Sequence, residues 1–244
     1  MMDTPYNIFF IVIIVHSFLL IFDYLLKFWH LPWYLTFQNQ YGIKIQLFTI
    51  TWFTTFFNRY IQKIGNWRPR FQKIWFSFGM WISLLSLPFA LYFLIQSTYI
   101  LLTSFIWDEN KSNRNVTPFL QPAIPGINIP VTDFGYYIST LLICSIFHEM
   151  GHAVAAVREG VHISGVGIFI ILIVPVAYVR MEELENLTSN KQLRIICAGI
   201  WHNIVLVFLT SIIIFILPWI CYPFYKYNNG IQIVAIHKVS FLPM

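Results

Sequence analysis

The chain has 244 residues, of which 58% are hydrophobic and 19% aromatic, while only 10% are charged. Soluble domains contain about 45–50% apolar and about 25% charged residues, so a chain with so few charges cannot cover a surface that faces water. The 24 Phe exclude intrinsic disorder, and only three Cys exclude a disulfide scaffold. The net charge of +5 is better explained by loop topology than by direct nucleic-acid binding. The composition predicts an integral membrane protein whose surroundings are the lipid bilayer.

The N-terminal region, residues 1–133, begins with two apolar segments separated by a basic one. Residues 8–29 are long enough to cross a hydrocarbon core of about 30 Å as a helix. Residues 30–73 form a connection with Lys and Arg but no acid, which favours lipid headgroups over nucleic acid as its contact. Residues 74–106 contain no charge. Because Pro88 lies near their middle, they are either one long kinked helix or a helical hairpin.

The second half of the chain alternates polar and apolar segments. Residues 107–133 are conspicuously polar and are predicted to be a solvated loop. Residues 134–157 and 195–220 are the next candidate helices. Between them, residues 163–179 combine glycines, β-branched residues and a proline, which favours a re-entrant β-type hairpin over a spanning helix. The predicted fold is an α-helical polytopic membrane protein with about four to five transmembrane helices and this hairpin beside the helix at 134–157, the active-site helix.

The clearest chemical motif is His148-Glu149-Met150-Gly151-His152. On a helix, residues i and i+4 differ by about 40° in azimuth and about 6 Å in rise, so both imidazoles can reach one ion. Zinc accepts imidazole nitrogen and leaves room for a water molecule. Glu149 can take a proton from that water and pass it to the leaving amine. The motif predicts a catalytic zinc site with His148 and His152 as ligands and Glu149 as the general base.

A third zinc ligand does not follow from the spacing. Cys144 shares the histidine face, but it lies about 12 Å from His152 along the helix axis, too far to share an ion. A thermolysin-like site would take a later carboxylate, and three are available. They fall in a mixed-charge stretch that is more typical of a solvated face; these are Glu182, Glu183 and Glu185.

A second polar group lies inside the last apolar segment. His202 and Asn203 need partners at membrane depth, and Gly199 lets another backbone approach closely. Structural packing of helices explains this group as well as a functional role does. In the functional interpretation, Asn203 lines the zinc cavity and helps to hold the scissile carbonyl.

Beyond the zinc motif, the chain resembles the site-2 protease family of intramembrane zinc metalloproteases. The similarity lies in HEMGHAVAAVRE at 148–159, GVGIF at 165–169 and QLRIICAGIWHN at 192–203; PGINIPV at 125–131 and FNR at 57–59 also resemble the eukaryotic members. The resemblance implies Zn²⁺ as cofactor and a membrane-embedded hairpin near the substrate. It also implies that His202 supports the site without binding the ion. It further implies that the substrate is a transmembrane helix of a membrane-anchored transcription factor precursor, and that the protein resides in the Golgi or endoplasmic reticulum membrane.

The chain departs from the family in two respects. The family's third ligand is an Asp in a Leu-Asp-Gly motif on a later helix, whereas all four Asp in this chain precede His148. The lumenal PDZ-like region and the remaining helices are also missing. We therefore interpret residues 134–220 as an incomplete protease core and residues 221–244 as the start of the PDZ-like region, and we expect residues 1–244 alone to be inactive.

Two alternatives to this function stay open. The missing Asp leaves room for an inactive truncated regulator or a metal-holding membrane protein. A prenyl-protein-type membrane endopeptidase would use a Glu as third ligand, but the motif from Gly199 to Asn203 argues against it.

The membrane orientation has two competing predictions. The resemblance places residues 107–133 in the lumen and residues 158–194 in the cytosol. The positive-inside rule puts the basic connection in the cytosol and the N-terminus in the lumen. The resemblance instead implies a cytosolic N-terminus, which requires residues 74–106 to be a hairpin. We take the second arrangement as the expectation.

Overall fold

The computed structural model describes residues 4–106, 130–182 and 184–224. Of the predicted polar loop, only the last four residues lie in these ranges, and of the predicted start of a PDZ-like region, only residues 221–224. Among the described residues there are six α-helices and four strands: α1 (Thr4–Phe28), α2 (Pro32–Tyr41), β1 (Ile43–Gln46), β2 (Thr49–Thr54), α3 (Asn58–Gly65), α4 (Pro69–Ile106), α5 (Phe134–Glu159), β3 (Ile163–Ile171), β4 (Val174–Met181) and α6 (Ser189–Cys221).

Four of these helices, α1, α4, α5 and α6, are long and apolar enough to cross a membrane. The predicted polytopic helical fold is therefore confirmed. The chain up to Leu206 forms one compact unit, and the chain from Val207 forms another. The described part of the second unit is the end of α6 and a short 3-10 turn at Tyr222–Phe224.

The long apolar segment is one helix. α4 runs for 38 residues with Pro88 inside it, so the hairpin favoured by the family resemblance is wrong. A proline within a helix removes one N–H donor and crowds the carbonyl four residues earlier. A turn in the same place would expose several backbone groups to lipid, where each unsatisfied group costs more than the proline does.

The predicted hairpin at 163–179 is confirmed as β3 and β4, which pair in antiparallel fashion from Ile163↔Met181 to Ile171↔Val174. It is half of a four-stranded sheet in the order β1-β2-β3-β4. β2 pairs with β3 from Thr49↔Ile171 to Thr54↔Val166. The segment interpreted as a basic connection therefore holds α2, β1, β2 and α3, which the sequence pattern did not predict.

The pairing of β2 with β3 also constrains the membrane topology. Between these strands the chain passes through two candidate spans, α4 and α5. Two crossings return the chain to the side it left, so strands that lie side by side agree with a continuous α4. A hairpin followed by α5 would give three crossings and separate the strands. The cytosolic N-terminus that depended on this hairpin loses its basis.

The buried core of the first unit lies where α5 meets α3, the sheet and the start of α6. It is built around small and β-branched side chains, among them Ala153, Ala156, Ile163 and Ile195. Small residues on α5 allow its neighbours to approach closely. Asn58, at the start of α3, donates its side-chain N–H groups to the carbonyls of Ile163 and Ser164, both at 3.1 Å. This core fixes the hairpin beside α5.

Candidate metal centre

The two motif histidines face each other one turn apart on α5. Their Nε2 atoms are 3.1 Å apart, and together with Glu149 they form a group whose potential ligand atoms all lie within 4.8 Å of one another. Two zinc–nitrogen bonds of about 2.05 Å at the tetrahedral angle separate the nitrogens by about 3.3 Å. The distance between the two Nε2 atoms therefore fits a shared zinc ion.

A backbone carbonyl of α6 determines which ring nitrogen of His152 carries the proton. Its Nδ1–H donates to the carbonyl oxygen of Ile195 at 2.7 Å. Because a carbonyl can only accept, Nδ1 carries the proton of the neutral ring and Nε2 presents its lone pair. Metal-binding histidines commonly have such a partner on the second nitrogen.

Asn203 contacts the Nδ1 atom of His148, as the Ile195 carbonyl contacts that of His152. Its amide nitrogen lies 3.3 Å from Nδ1 of His148, and among the described residues no donor reaches its buried Oδ1. An amide's nitrogen and oxygen are assigned from their hydrogen bonds. If the amide is turned, Oδ1 accepts the Nδ1–H of His148, and the NH₂ group takes the buried position that Oδ1 held. That assignment leaves the lone pair of His148 on Nε2, as in His152.

Gly199 sits where α6 passes directly over the ligand nitrogens. A Cβ at this position would lie 2.4 Å from Nε2 of His152 and 2.5 Å from Nε2 of His148. Both distances are far below a van der Waals contact, so any side chain at this position would displace the two imidazoles. Ile195, Gly199 and Asn203 are spaced by four residues and share one face of α6. This face of α6 forms the second wall of the metal centre.

His202 lies beside this wall and outside the group of potential ligands. Its Nδ1–H donates to the carbonyl of Ala198 at 2.9 Å, and its ring stacks on Phe76 of α4 with centroids 5.7 Å apart. Gly151 on α5 makes room for it, because a Cβ there would lie 2.7 Å from Nδ1 of His202. The supporting role predicted for His202 stays a prediction.

Glu149 points toward the sheet rather than toward α6. Its Oε2 accepts the backbone N–H of Val179 at 3.2 Å, and one turn earlier Oγ of Ser145 accepts the N–H of Ala177 at 2.7 Å. These N–H groups belong to alternate residues of β4, so they point away from β3. The sequence did not indicate Ser145. Its spacing of four residues from Glu149 becomes informative only when the register of β4 against α5 is known.

The carboxylates considered as a third ligand lie elsewhere. The Ser164 hydroxyl donates to Glu182, and His162 Nδ1 lies 3.3 Å from the same carboxylate. The hydrogen bond from Ser164 is the main reason that the pKa of Glu182 is lowered. Glu185 is in a short 3-10 turn, and Glu183 lies outside the described residues. Among the described residues, the group that could hold a metal ion contains His148, Glu149 and His152, without Cys144 or these acids.

An ion pair joins the two helices that carry the site. Arg194, at the start of α6, donates from Nε and an Nη to the two carboxylate oxygens of Glu159 at 2.8 and 3.1 Å. The side chains are only 14% and 8% exposed, respectively. Arg194 directly precedes Ile195, whose carbonyl holds His152. The pair therefore fixes the register of α6 against α5 near the metal centre.

Comparison with known proteins assigns this region to a family. Residues 136–240 match the family model of peptidase family M50. They are a peptidase family M50 domain. The domain contains every α5 and α6 residue that borders the metal centre, whereas β1, β2 and α3 lie outside it.

A relative from Arabidopsis thaliana, a membrane-bound transcription factor site-2 protease homolog, is 35% identical over 170 residues, which cover 69% of this chain and 32% of the relative. The predicted resemblance to site-2 proteases is thereby confirmed. The chain spans about a third of the length of this curated relative. No solved structure matches the chain.

Proposed function

We propose that this chain provides the zinc-binding part of an intramembrane endopeptidase that cuts a transmembrane segment of a membrane-anchored transcription factor precursor. The observation that carries this proposal is the pair of Nε2 atoms of His148 and His152, 3.1 Å apart on a helix long enough to span a bilayer, with Glu149 beside them. The M50 domain supports metalloprotease chemistry, and the similarity to the Arabidopsis protein supports the class of substrate.

Each residue of the site has a distinct task in this proposal. A zinc ion held by His148 and His152 would supply a bound water with a pKa of about 7. Glu149 accepts the proton of the attacking water and passes it to the leaving amine, and the N–H of Val179 keeps its carboxylate in place. Ile195 and Asn203 orient the two imidazoles. Asn203 is also the residue that we propose helps to hold the scissile carbonyl.

The third ligand decides whether the chain acts alone. A catalytic zinc takes three protein ligands and a water, and the described residues offer two imidazoles beside Glu149. We therefore propose that residues 1–244 alone are inactive and that an Asp, as the family resemblance implies, joins the site from outside the described residues. An inactive regulator or metal-holding protein is the second candidate, and it is favoured by the same two-histidine set. The Glu-liganded prenyl endopeptidase is disfavoured because Glu182 is engaged by Ser164 and His162.

Cleavage of a membrane-anchored reporter tests the proposal. The assay compares residues 1–244 with the same chain supplemented by the Asp-bearing helices of a site-2 protease, in cells that lack the endogenous enzyme. We expect zinc-dependent cleavage only from the supplemented chain, and a loss of at least about 1,000-fold with His148→Ala because a ligand is removed. Cleavage that survives His148→Ala would contradict the proposal. Absence of cleavage in every combination would favour the metal-holding alternative.

Topology gives a separate prediction, which rests on the proposed Golgi or endoplasmic reticulum location. With α1, α4 and α5 each crossing once, the sheet side of the membrane holds eleven of the 15 Lys and Arg residues; these are Lys27, Lys44, Arg59, Lys63, Arg68, Arg70, Lys73, Arg158, Arg180, Lys191 and Arg194. The positive-inside rule makes this side cytosolic. We therefore propose that the start of α1 is lumenal.

Glycosylation mapping measures this orientation. Asn186-Leu187-Thr188 matches the acceptor pattern, and Asn186 is exposed on the sheet side. We expect no sugar there, but efficient glycosylation of an acceptor tag fused ahead of α1, read as a mobility shift removed by endoglycosidase H. Asn115-Val116-Thr117 is a poor internal control because Pro118 follows it. Sugar on Asn186, or an unmodified N-terminal tag, would show that the topology is the reverse of the one proposed.

A further inference from the structure

We propose that three arginines at the membrane surface, Arg68, Arg70 and Arg158, bind the headgroup of an anionic phospholipid that carries a phosphomonoester. This binding site is separate from the metal centre, and it does not depend on the proposed peptidase activity. It joins the start of α4 to the end of α5. One of its residues belongs to the M50 domain and two lie outside it.

The three arginines lie where two candidate membrane spans end on the same side. The span in α4 begins at Pro69, and the span in α5 ends at Glu159. Arg158 connects the two ends, because its Nε donates to the carbonyl oxygen of Pro69 at 3.0 Å. The carboxylate of Glu159 is paired with Arg194, so it does not neutralise Arg158. The contact puts both span ends at one depth, which is the depth of the lipid headgroups.

The positive charges at this junction have no acid to neutralise them. Arg68 and Arg70 flank Pro69 in the sequence, so the Arg158 guanidinium lies at the residue between them. None of the three arginines forms an ion pair within the described part of the chain, and residues 30–73 contain no acid. Like charges gathered in this way repel one another and attract an anion.

The chemistry of arginine favours a phosphate as that anion. A guanidinium presents five N–H donors in one plane and can bind two phosphate oxygens at once. Arg158 uses its Nε donor for Pro69, which leaves its Nη groups for a ligand. A phosphomonoester carries a charge of about −1.5 to −2 at neutral pH. Three arginines therefore match it better than they match the single charge of a phosphodiester.

Aromatic side chains beside the arginines favour a lipid over a soluble anion. Trp67 and Phe71 are 58% and 53% exposed, and Phe71 lines the same open surface depression as Arg68 and Arg70. The Arg68 guanidinium lies over the Trp67 ring, 5.1 Å from its centroid. Tryptophan is typical of the headgroup level. Basic pockets between spans on the cytosolic side bind anionic headgroups, and the proposed orientation puts this junction on that side.

Photo-crosslinking with a lipid tests the site without requiring cleavage. The probe is phosphatidic acid with a photoactivatable group on its acyl chain next to the glycerol, added to the full chain in phosphatidylcholine vesicles. Labelling of residues 67–75 is mapped by mass spectrometry. We expect unlabelled phosphatidic acid to compete at least about fivefold better than phosphatidylglycerol, which is the effect of one additional charge contact. Inorganic phosphate should not compete.

Single substitutions locate the binding site. Arg68→Gly removes a charge at little cost to the fold, because Arg68 has a φ of +42°, a conformation that glycine adopts freely. It should lower labelling at least about fivefold, the effect of one cation near an anionic surface. Arg158→Gln should do the same, and Arg70→Gln replaces it if that variant does not fold. The matched control is Lys44→Gln, which removes an exposed charge from β1 and should keep labelling within twofold.

Three results would overturn the inference. The first is parental labelling in Arg68→Gly together with parental labelling in Arg158→Gln or its replacement. The second is an equal loss in Lys44→Gln, because it would show a general attraction to the basic face instead of a binding site. The third is displacement of the probe by inorganic phosphate or by a poly-glutamate peptide, which would assign the arginines to a soluble anion or to an acidic protein segment.

Discussion

Gly199→Ala is expected to lower the affinity for zinc by more than about 100-fold, the upper range for changes around a metal ligand. The added Cβ would lie 2.4 and 2.5 Å from the two ligand nitrogens, so the two imidazoles must shift away from α6. Imidazoles can change rotamer at modest cost, and Ala is a better helix former than Gly. The helix should therefore persist while the metal centre is lost. Zinc titration against a chelator on the purified chain measures the affinity.

The matched control is Gly135→Ala, on α5. A Cβ at Gly135 meets nothing within 4 Å, so this variant should bind zinc as the parent chain does. Thermal melting without metal separates misfolding from loss of the site. Normal zinc affinity in a folded Gly199→Ala chain would show that the ion does not sit between the two Nε2 atoms.

Breaking the Glu159–Arg194 pair should produce the largest loss of stability. The bidentate hydrogen bonds are largely shielded from solvent, and removing one partner leaves the other charge poorly solvated. For such pairs the expected cost is about 3 kcal/mol. Glu159→Ala should also weaken zinc binding, because a shift of α6 moves the Ile195 carbonyl away from Nδ1 of His152. Denaturation by a titrated detergent and zinc titration give the two values.

Charge reversal distinguishes the pair from simple packing. The double variant Glu159→Arg with Arg194→Glu should recover part of both losses, since the attraction is restored. Glu182→Gln, which alters an exposed carboxylate away from the metal centre, should leave both the melting temperature and the zinc affinity unchanged. If Glu159→Ala bound zinc normally, the pair would stabilise the fold without positioning the ligand.

The sequence predicts those elements of the fold that are determined by residues close to one another in the chain. The His148–His152 spacing predicts a shared ion because both residues lie on one helical face. The hairpin at 163–179 is signalled by its own β-branched residues and breakers. The sequence does not decide whether the segment that forms α4 is one helix or two, because an apolar segment of this length can cross a bilayer in either form.

The remaining features depend on contacts between distant segments. β1 and β2 are only four and six residues long, and β2 is stabilised by pairing with β3 more than a hundred residues later. The contact of Asn203 with His148 and that of Glu149 with Val179 likewise require the register between α5, α6 and β4. The sequence indicates that Asn203 is polar at membrane depth, but it does not show which atom it meets.

The central claim is that His148 and His152 hold the ion while Glu149 only moves protons. Glu149→Gln, which nearly preserves shape, tests it directly when bound zinc and reporter cleavage are measured on the same supplemented preparation. Zinc content should stay within twofold of the parent, while cleavage falls by at least about 1,000-fold, in line with the loss of an essential general base. Cleavage at the parental rate, or loss of zinc together with cleavage, would contradict this division of roles.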